Sequence, residues 1–188
     1  MVRLTRIYTR LGDGGETHLG DMSRVRKTSA RIAAIGDVDE LNATVGVAIT
    51  SGVDADHTRW LTRIQNDLFD LGADLAVPLG AEGDRLRITP EQVTQLEGHC
   101  DEANEELSDL TSFILPGGTP AAAALHLARS VCRRAERSVV ALAESDEINP
   151  NTASYLNRLS DLLFILARYA NDRGRGDVLW VPGGSRGT

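Results

Sequence analysis

Phe113-Ile-Leu-Pro-Gly-Gly-Thr-Pro120, followed by Ala121 to Arg137 and ending Arg133-Arg-Ala-Glu-Arg137, is the stretch on which the reading of the fold turns. At 3.6 residues per turn, Ala121, Leu125, Ala128, Cys132, Ala135 and Val139 fall on one apolar stripe, which predicts a core-facing helix. Thr119 before Pro120 is a helix start signal, a capping hydroxyl followed by proline at the first helical position. Arg129, Arg133, Glu136 and Arg137 share a different face, with Arg134 at its edge. Glu136 alone offsets four arginines, so the balancing negative charge must come from elsewhere on the chain or from a ligand. Guanidinium forks match carboxylate and phosphate oxygens, which makes a bound polyphosphate the first candidate.

The same periodicity extends in both directions. Ile32, Ile35, Val38, Leu41, Val45 and Ala48 predict a first helix from about Ser29 to Ser51-Gly52. Leu61, Ile64, Leu68, Leu71 and Leu75 predict a second, stopped at Val77-Pro78. Thr89-Pro90-Glu91-Gln92 supplies an N-cap, proline at N1 and glutamine at N3 for a third helix running through Val93, Leu96, Cys100, Ala103 and Leu107. Asn149-Pro150 opens a fifth, through Leu156, Leu159, Leu163, Leu166 and Tyr169, closed by Gly174 and Gly176. No strand of useful length is expected. The pattern predicts an all-α protein, a five-helix up-and-down bundle with mostly short links. It forms one domain over 1–188, with a Gly-rich loop at 1–28, the bundle at 29–174 and a tail at 175–188.

Composition narrows the function. The chain has 188 residues, 41% hydrophobic and 25% charged, ordinary values for one globular domain. A net charge of −7 argues against non-specific nucleic-acid binding, so any basic site is local. The cysteines, Cys100 and Cys132, lack metal-site or disulfide-framework spacing. Met1 to Arg6 has no signal-peptide core and no apolar run approaches a membrane span, so the expectation is a cytoplasmic chain used as written. Glu-x-x-His pairs of a di-iron bundle are absent. His18, His57, His99 and His126 lack ligand spacing and are expected at the surface or an interface, and no metal-ligating set is assigned.

Four further constellations stand out. Thr9-Arg10-Leu11-Gly12-Asp13-Gly14-Gly15-Glu16-Thr17 could curl backbone N–H groups around anionic oxygens, although it matches neither a P-loop nor a Rossmann turn. Lys27 stands alone ahead of the first helix. Gly36-Asp37-Val38-Asp39-Glu40 packs three acids within four residues and needs a cation, for which Arg129 or another arginine of the fourth helix is available. Asn157, Ser160 and Asp161 share a face of the fifth helix. Taken singly, each has an ordinary structural reading as a turn, a surface lysine or a solvated polar face. No Ser-His-Asp set, activated cysteine or acid/base carboxylate pair is present. An enzyme built this way would orient a nucleophile belonging to its substrate.

In combination and order, these motifs resemble the PduO-type ATP:cob(I)alamin adenosyltransferases, over about residues 7–171. The resemblance is carried by Tyr8 to Gly15, Lys27, Gly36 to Leu41, Phe113 to Gly118, Arg133 to Arg137 and Asn157 to Asp161. It implies a homotrimer with active sites between subunits, where Thr9, Arg10, Leu11, Gly12, Asp13, Gly15, Thr17 and Lys27 of one subunit meet Arg133, Arg134, Glu136, Arg137 and Asn157 of its neighbour around ATP. It further implies that Asp39 pairs with Arg129 across the interface near the corrinoid, that Phe113 lies under the corrin, and that Arg133, Arg129, Asp39 and Phe113 serve the reaction. Mg²⁺ would accompany ATP. The partners implied are a reductase and an adenosylcobalamin-dependent enzyme, with neither nucleic acid nor membrane. The chain has Gly14 where many members carry lysine, and its tail, with Trp180, departs from the usual tails; Trp180 is assigned to closing the corrin pocket. It also lacks the Asp-x-His-x-x-Gly motif of corrinoid carriers. The alternative function is a non-catalytic ATP-sensing bundle acting through a protein partner.

Overall fold

The computed structural model describes residue 8 and residues 10–184. Its five helices are α1 (Ala30–Thr50), α2 (Ala55–Ala76), α3 (Pro90–Asn104), α4 (Pro120–Ala143) and α5 (Pro150–Ala170). Each start follows from local chemistry. The side chains of Ser29, Asp54, Thr119 and Asn149 accept hydrogen bonds from the first-turn N–H groups of α1, α2, α4 and α5, and Gln92 Oε1 accepts from Thr89 N at 3.0 Å ahead of α3. The expected stripes of α2 and α4 are buried throughout, whereas Ile32 and Ile35 of α1, Val93 and Cys100 of α3 and Tyr169 of α5 are only partly so.

Three expectations need correction. Two short strands exist, β1 (Glu16–His18) and β2 (Arg24–Arg26), antiparallel with Thr17 opposite Val25. Three residues are too few for alternation to register in sequence; the pairing is set by the turn, where Asp21 accepts from Ser23, and by docking of Gly20 N on Ala76 O at 2.8 Å. The third helix ends at Asn104, so Leu107 lies beyond it. Helix order along the chain is also not packing order: α1 packs on α2 and α4, α4 on α5, and α5 on α3. The links at 77–89 and 105–119 are long enough to carry α3 away from its sequence neighbours. Side chains still join α3 to α2, through Gln92 to Asp67 at 2.8 Å and a stacked Trp60–His99 pair.

Buried polar groups fix the links. Asp74, 2% exposed, pairs with Arg87 at 2.7 Å and accepts from Ile88 N and Asn149 Nδ2, which binds the approach to α3 against the starts of α2's last turn and α5. Arg31, also buried, donates to Leu75 O and pairs with Asp146.

Candidate active site

The N-terminal loop forms a cleft of its own. Tyr8, Arg10, Leu11, Gly12, Asp13, Glu16, Thr17, His18 and Lys27 line a hollow of about 410 Å³. Lys27 folds back over Gly12, where an added Cβ would lie 2.9 Å from its Nζ, so glycine is what lets the lysine reach the loop. The loop is held by Gly15 N to Gly12 O at 3.2 Å and Lys27 N to Gly15 O at 2.9 Å. Gly15 has φ of 84°, a conformation that favours glycine. Gly14 faces open space. Thr9 lies outside the described residues.

A second cavity, of about 430 Å³, opens between α4, α5 and the link after α3. Its wall includes Arg129, Arg133, Ser160, Asp161, Phe164 and Arg168. Arg129 and Arg133 are one turn apart and neither forms an ion pair among the described residues. Burial, and then the charge of Arg133, lowers the Arg129 pKa, though guanidinium stays protonated at any working pH. Arg137 is exposed and donates to Arg133 O at 3.1 Å. Glu136 accepts from Asn157 Nδ2 at 3.0 Å, and Asn157 accepts from Arg158 at 2.6 Å.

Arg134 takes a different path. Its Nε lies 3.3 Å from Asp37 Oδ1 and its Nη2 bonds Glu40, while Ser138 donates to Asp37. Arg134 is therefore the helix-four cation that the acidic motif requires within one chain. Asp39 stands apart from this set, lining an apolar groove between α1 and α2 with Ile35, Asn42 and Phe69. Within one chain, Asp39 and Arg129 thus open into different hollows, as do Lys27 and Arg133.

Phe113 is 78% exposed, on a segment paired with the tail: Trp180 N donates to Phe113 O, Leu115 N to Val178 O, and Ser112 Oγ to Trp180 O. The Gly117-Gly118 turn beneath it is set by Asn171, which donates to Gly117 O and accepts from Thr119 N. Gly118 has φ of 104°, and an added Cβ would fall 2.0 Å from Asn171 Oδ1, so no other residue fits. Asn171 is held by Asp177, itself paired with Arg168 at 3.0 Å; both charged side chains are almost fully buried. Sequence reasoning missed this network, since Asp177 and Asn171 carry no motif.

The histidines also depart from expectation. His57 and His126 are buried, and His99 is stacked on Trp60; only His18 is exposed. His57 fits between Asp54, Trp60 and Tyr169, an aromatic packing role.

Fold and site together define a five-helix bundle with two polar hollows, one on a Gly-rich loop and one on an arginine helix, and an exposed aromatic beside a paired tail. A sequence model described as cobalamin adenosyltransferase matches residues 7–170, and the chain belongs to that family. It is 54% identical to a corrinoid adenosyltransferase of Mycobacterium bovis, with 98% of this chain and 97% of the relative covered. It is 51% identical to a cobalamin adenosyltransferase of Cupriavidus metallidurans, covering 95% of each. Among solved structures, a variant PduO-type ATP:corrinoid adenosyltransferase from Lactobacillus reuteri, complexed with cobalamin and ATP, is 39% identical with a TM-score of 0.87, covering 93% of this chain and 99% of that one.

Proposed function

We propose that this chain transfers the 5′-deoxyadenosyl group of ATP to the cobalt of cob(I)alamin, giving adenosylcobalamin and triphosphate. The observation that carries the reading is the full-length similarity to corrinoid adenosyltransferases together with the arginine pair Arg129 and Arg133 in an open cavity. ATP and cobalamin are the substrates. The Co(I) lone pair attacks C5′, the Co–C bond forms, and the C5′–O bond breaks with its electrons leaving on triphosphate.

No side chain needs to act as a general base, because the nucleophile is the metal of the substrate. The protein's part is to align cobalt, C5′ and the leaving oxygen, and to disperse charge growing on the triphosphate. Arg10, Leu11, Gly12, Asp13, Gly15, Thr17 and Lys27, with Thr9, would hold the nucleotide from one subunit. Arg133, Arg134, Glu136, Arg137 and Asn157 would hold it from the next. Lys27 and its loop neighbours line one hollow of the chain and Arg133 another, which supports a site completed by a second copy; the assembly would be a homotrimer. Asp39 and Arg129, also apart in one chain, would pair across the same interface. Arg134 would have to exchange or share its bonds to Asp37 and Glu40 to reach phosphate.

Mg²⁺ would arrive on the triphosphate oxygens; among the described residues, no group of three His, Cys, Asp or Glu side chains stands ready to hold a metal. Phe113, exposed and apolar, would lie under the corrin and displace the lower axial ligand, with Trp180 beside it closing the pocket. Residues 1–28 would serve as the ATP loop, 29–174 as the bundle and 175–188 as the tail of one domain. No described helix is long and apolar enough to cross a membrane, and a cytoplasmic location, a reductase supplying the electron and an enzyme accepting the product complete the proposal.

The test is anaerobic incubation with ATP, Mg²⁺ and chemically reduced cobalamin. A light-sensitive Co–C product is expected; ATP binding without any product under saturating conditions would leave only a nucleotide sensor. Light scattering on the purified chain checks the trimer.

A further inference from the structure

Four buried side-chain nitrogen or oxygen atoms among the described residues have no hydrogen-bond partner, and three of them belong to His126 and Arg129: both ring nitrogens of the histidine, and Nε of the arginine. Leaving such atoms unsatisfied is costly, so their concentration at one place calls for an explanation. The two residues are three apart on α4 and therefore neighbours on one face. His126 is 2% exposed and packs edge-on against Phe164, which lines the same cavity as Arg129.

We propose that neutral His126 is a positioning residue for Arg129: its unprotonated ring nitrogen accepts the Arg129 Nε–H when the guanidinium turns into the cavity, fixing the fork for its ligand. A neutral imidazole has one donor and one acceptor nitrogen, and guanidinium has donors alone, so the pairing is chemically one-way. With Nε tied down, the two Nη groups point outward together, the orientation a bidentate contact needs. Protonation would convert the acceptor nitrogen into a second donor and set two cations side by side. The surroundings oppose that change: burial first, and then the Arg129 charge, lower the His126 pKa, against a weaker opposite pull from Asp177, whose carboxylate is occupied by Arg168 and Asn171. This role rests on the adenosyltransferase reading only for its effect on turnover; the His126–Arg129 contact can be observed without it.

The experiment compares the full-length chain with His126→Leu and His126→Gln. The leucine variant should lose turnover on the order of tenfold, as expected for a lost hydrogen bond to a charged group. Its KM for ATP should stay unchanged, and its melting temperature should fall modestly, because the buried Arg129 Nε–H loses its acceptor. The wild-type kcat should fall on acidification as His126 protonates; glutamine, which keeps a neutral acceptor, should restore most of the turnover and abolish that fall. Wild-type kcat in the leucine variant at every pH, or an acid limb that survives in the glutamine variant, would overturn the proposal. The ¹⁵N shift of the unprotonated His126 nitrogen gives a readout independent of catalysis. A hydrogen-bonded value that reverts to a free one in Arg129→Met supports the contact, and a free value in both proteins refutes it. Absence of any Co–C product from the wild type would count against the adenosyltransferase reading, and the nitrogen shift would still decide the pairing.

Discussion

Trp180 is laid beside Phe113 by backbone pairing: its N–H donates to Phe113 O at 2.7 Å and the two rings stand 6.2 Å apart. The main chain makes that contact, so Trp180→Ala should keep the pairing and the fold. The loss should fall on corrinoid, as a raised KM for cob(I)alamin with the KM for ATP unaltered, measured by steady-state kinetics. Phe113→Ala should instead spare turnover of preformed cob(I)alamin more than the route starting from cob(II)alamin, because loss of the lower ligand tunes the metal's potential. Equal losses by both routes would remove that role.

Arg133 stands on the cavity wall without an ion-pair partner among the described residues, whereas Arg134 is held by Asp37 and Glu40. Arg133→Ala should weaken ATP binding by about 1.5–3 kcal/mol, the range for hydrogen bonds to charged groups. Calorimetric titration with ATP checks it, and an unchanged affinity would take Arg133 out of the site.

Asp177 joins the tail to α5 through a pair in which both side chains are buried. Asp177→Ala leaves the Arg168 charge uncompensated and frees Asn171 from one of its three anchors, at an expected loss of about 3–5 kcal/mol. Urea unfolding measures the loss. A midpoint equal to the wild type would mean that the tail contributes nothing to holding the Gly-Gly turn.

His99, stacked on Trp60, has its pKa lowered by burial first, with Arg63 and His57 acting in the same direction and Glu102 against them. The unfolded chain, with an ordinary histidine pKa of about 6.5, then binds more protons than the folded one. This contribution to stability is full above about pH 6.5 and is lost as the pH falls toward the depressed folded value. Melting temperature should fall on acidification across that window, and His99→Gln should flatten part of the slope. His126 shares the direction, so some slope should remain.

Much of this was legible in the chain. The stripe of Ala121, Leu125, Ala128, Cys132, Ala135 and Val139 and the cap-then-proline pairs at Thr89, Thr119 and Asn149 located helices that the structure contains, because helix periodicity and capping are local properties. The hairpin at 16–26 was not, since its strands are too short to carry a pattern. Nor was burial of His57 and His126: a histidine's neighbours come from other helices, and sequence spacing says nothing of them.

The sequence by itself determined five amphipathic helices, the starts of α1, α3, α4 and α5, the arginine face of α4 and a family resemblance carried by motifs from Tyr8 to Asp161. Only the tertiary structure decided that α3 packs on α5, that Lys27 lies over Gly12, that Arg134 rather than Arg129 meets the acidic motif within the chain, and that the tail sits beside Phe113. The division has one cause. Helix formation depends on residues three and four apart, while those contacts join groups up to 97 residues apart, which packing of the whole core brings together.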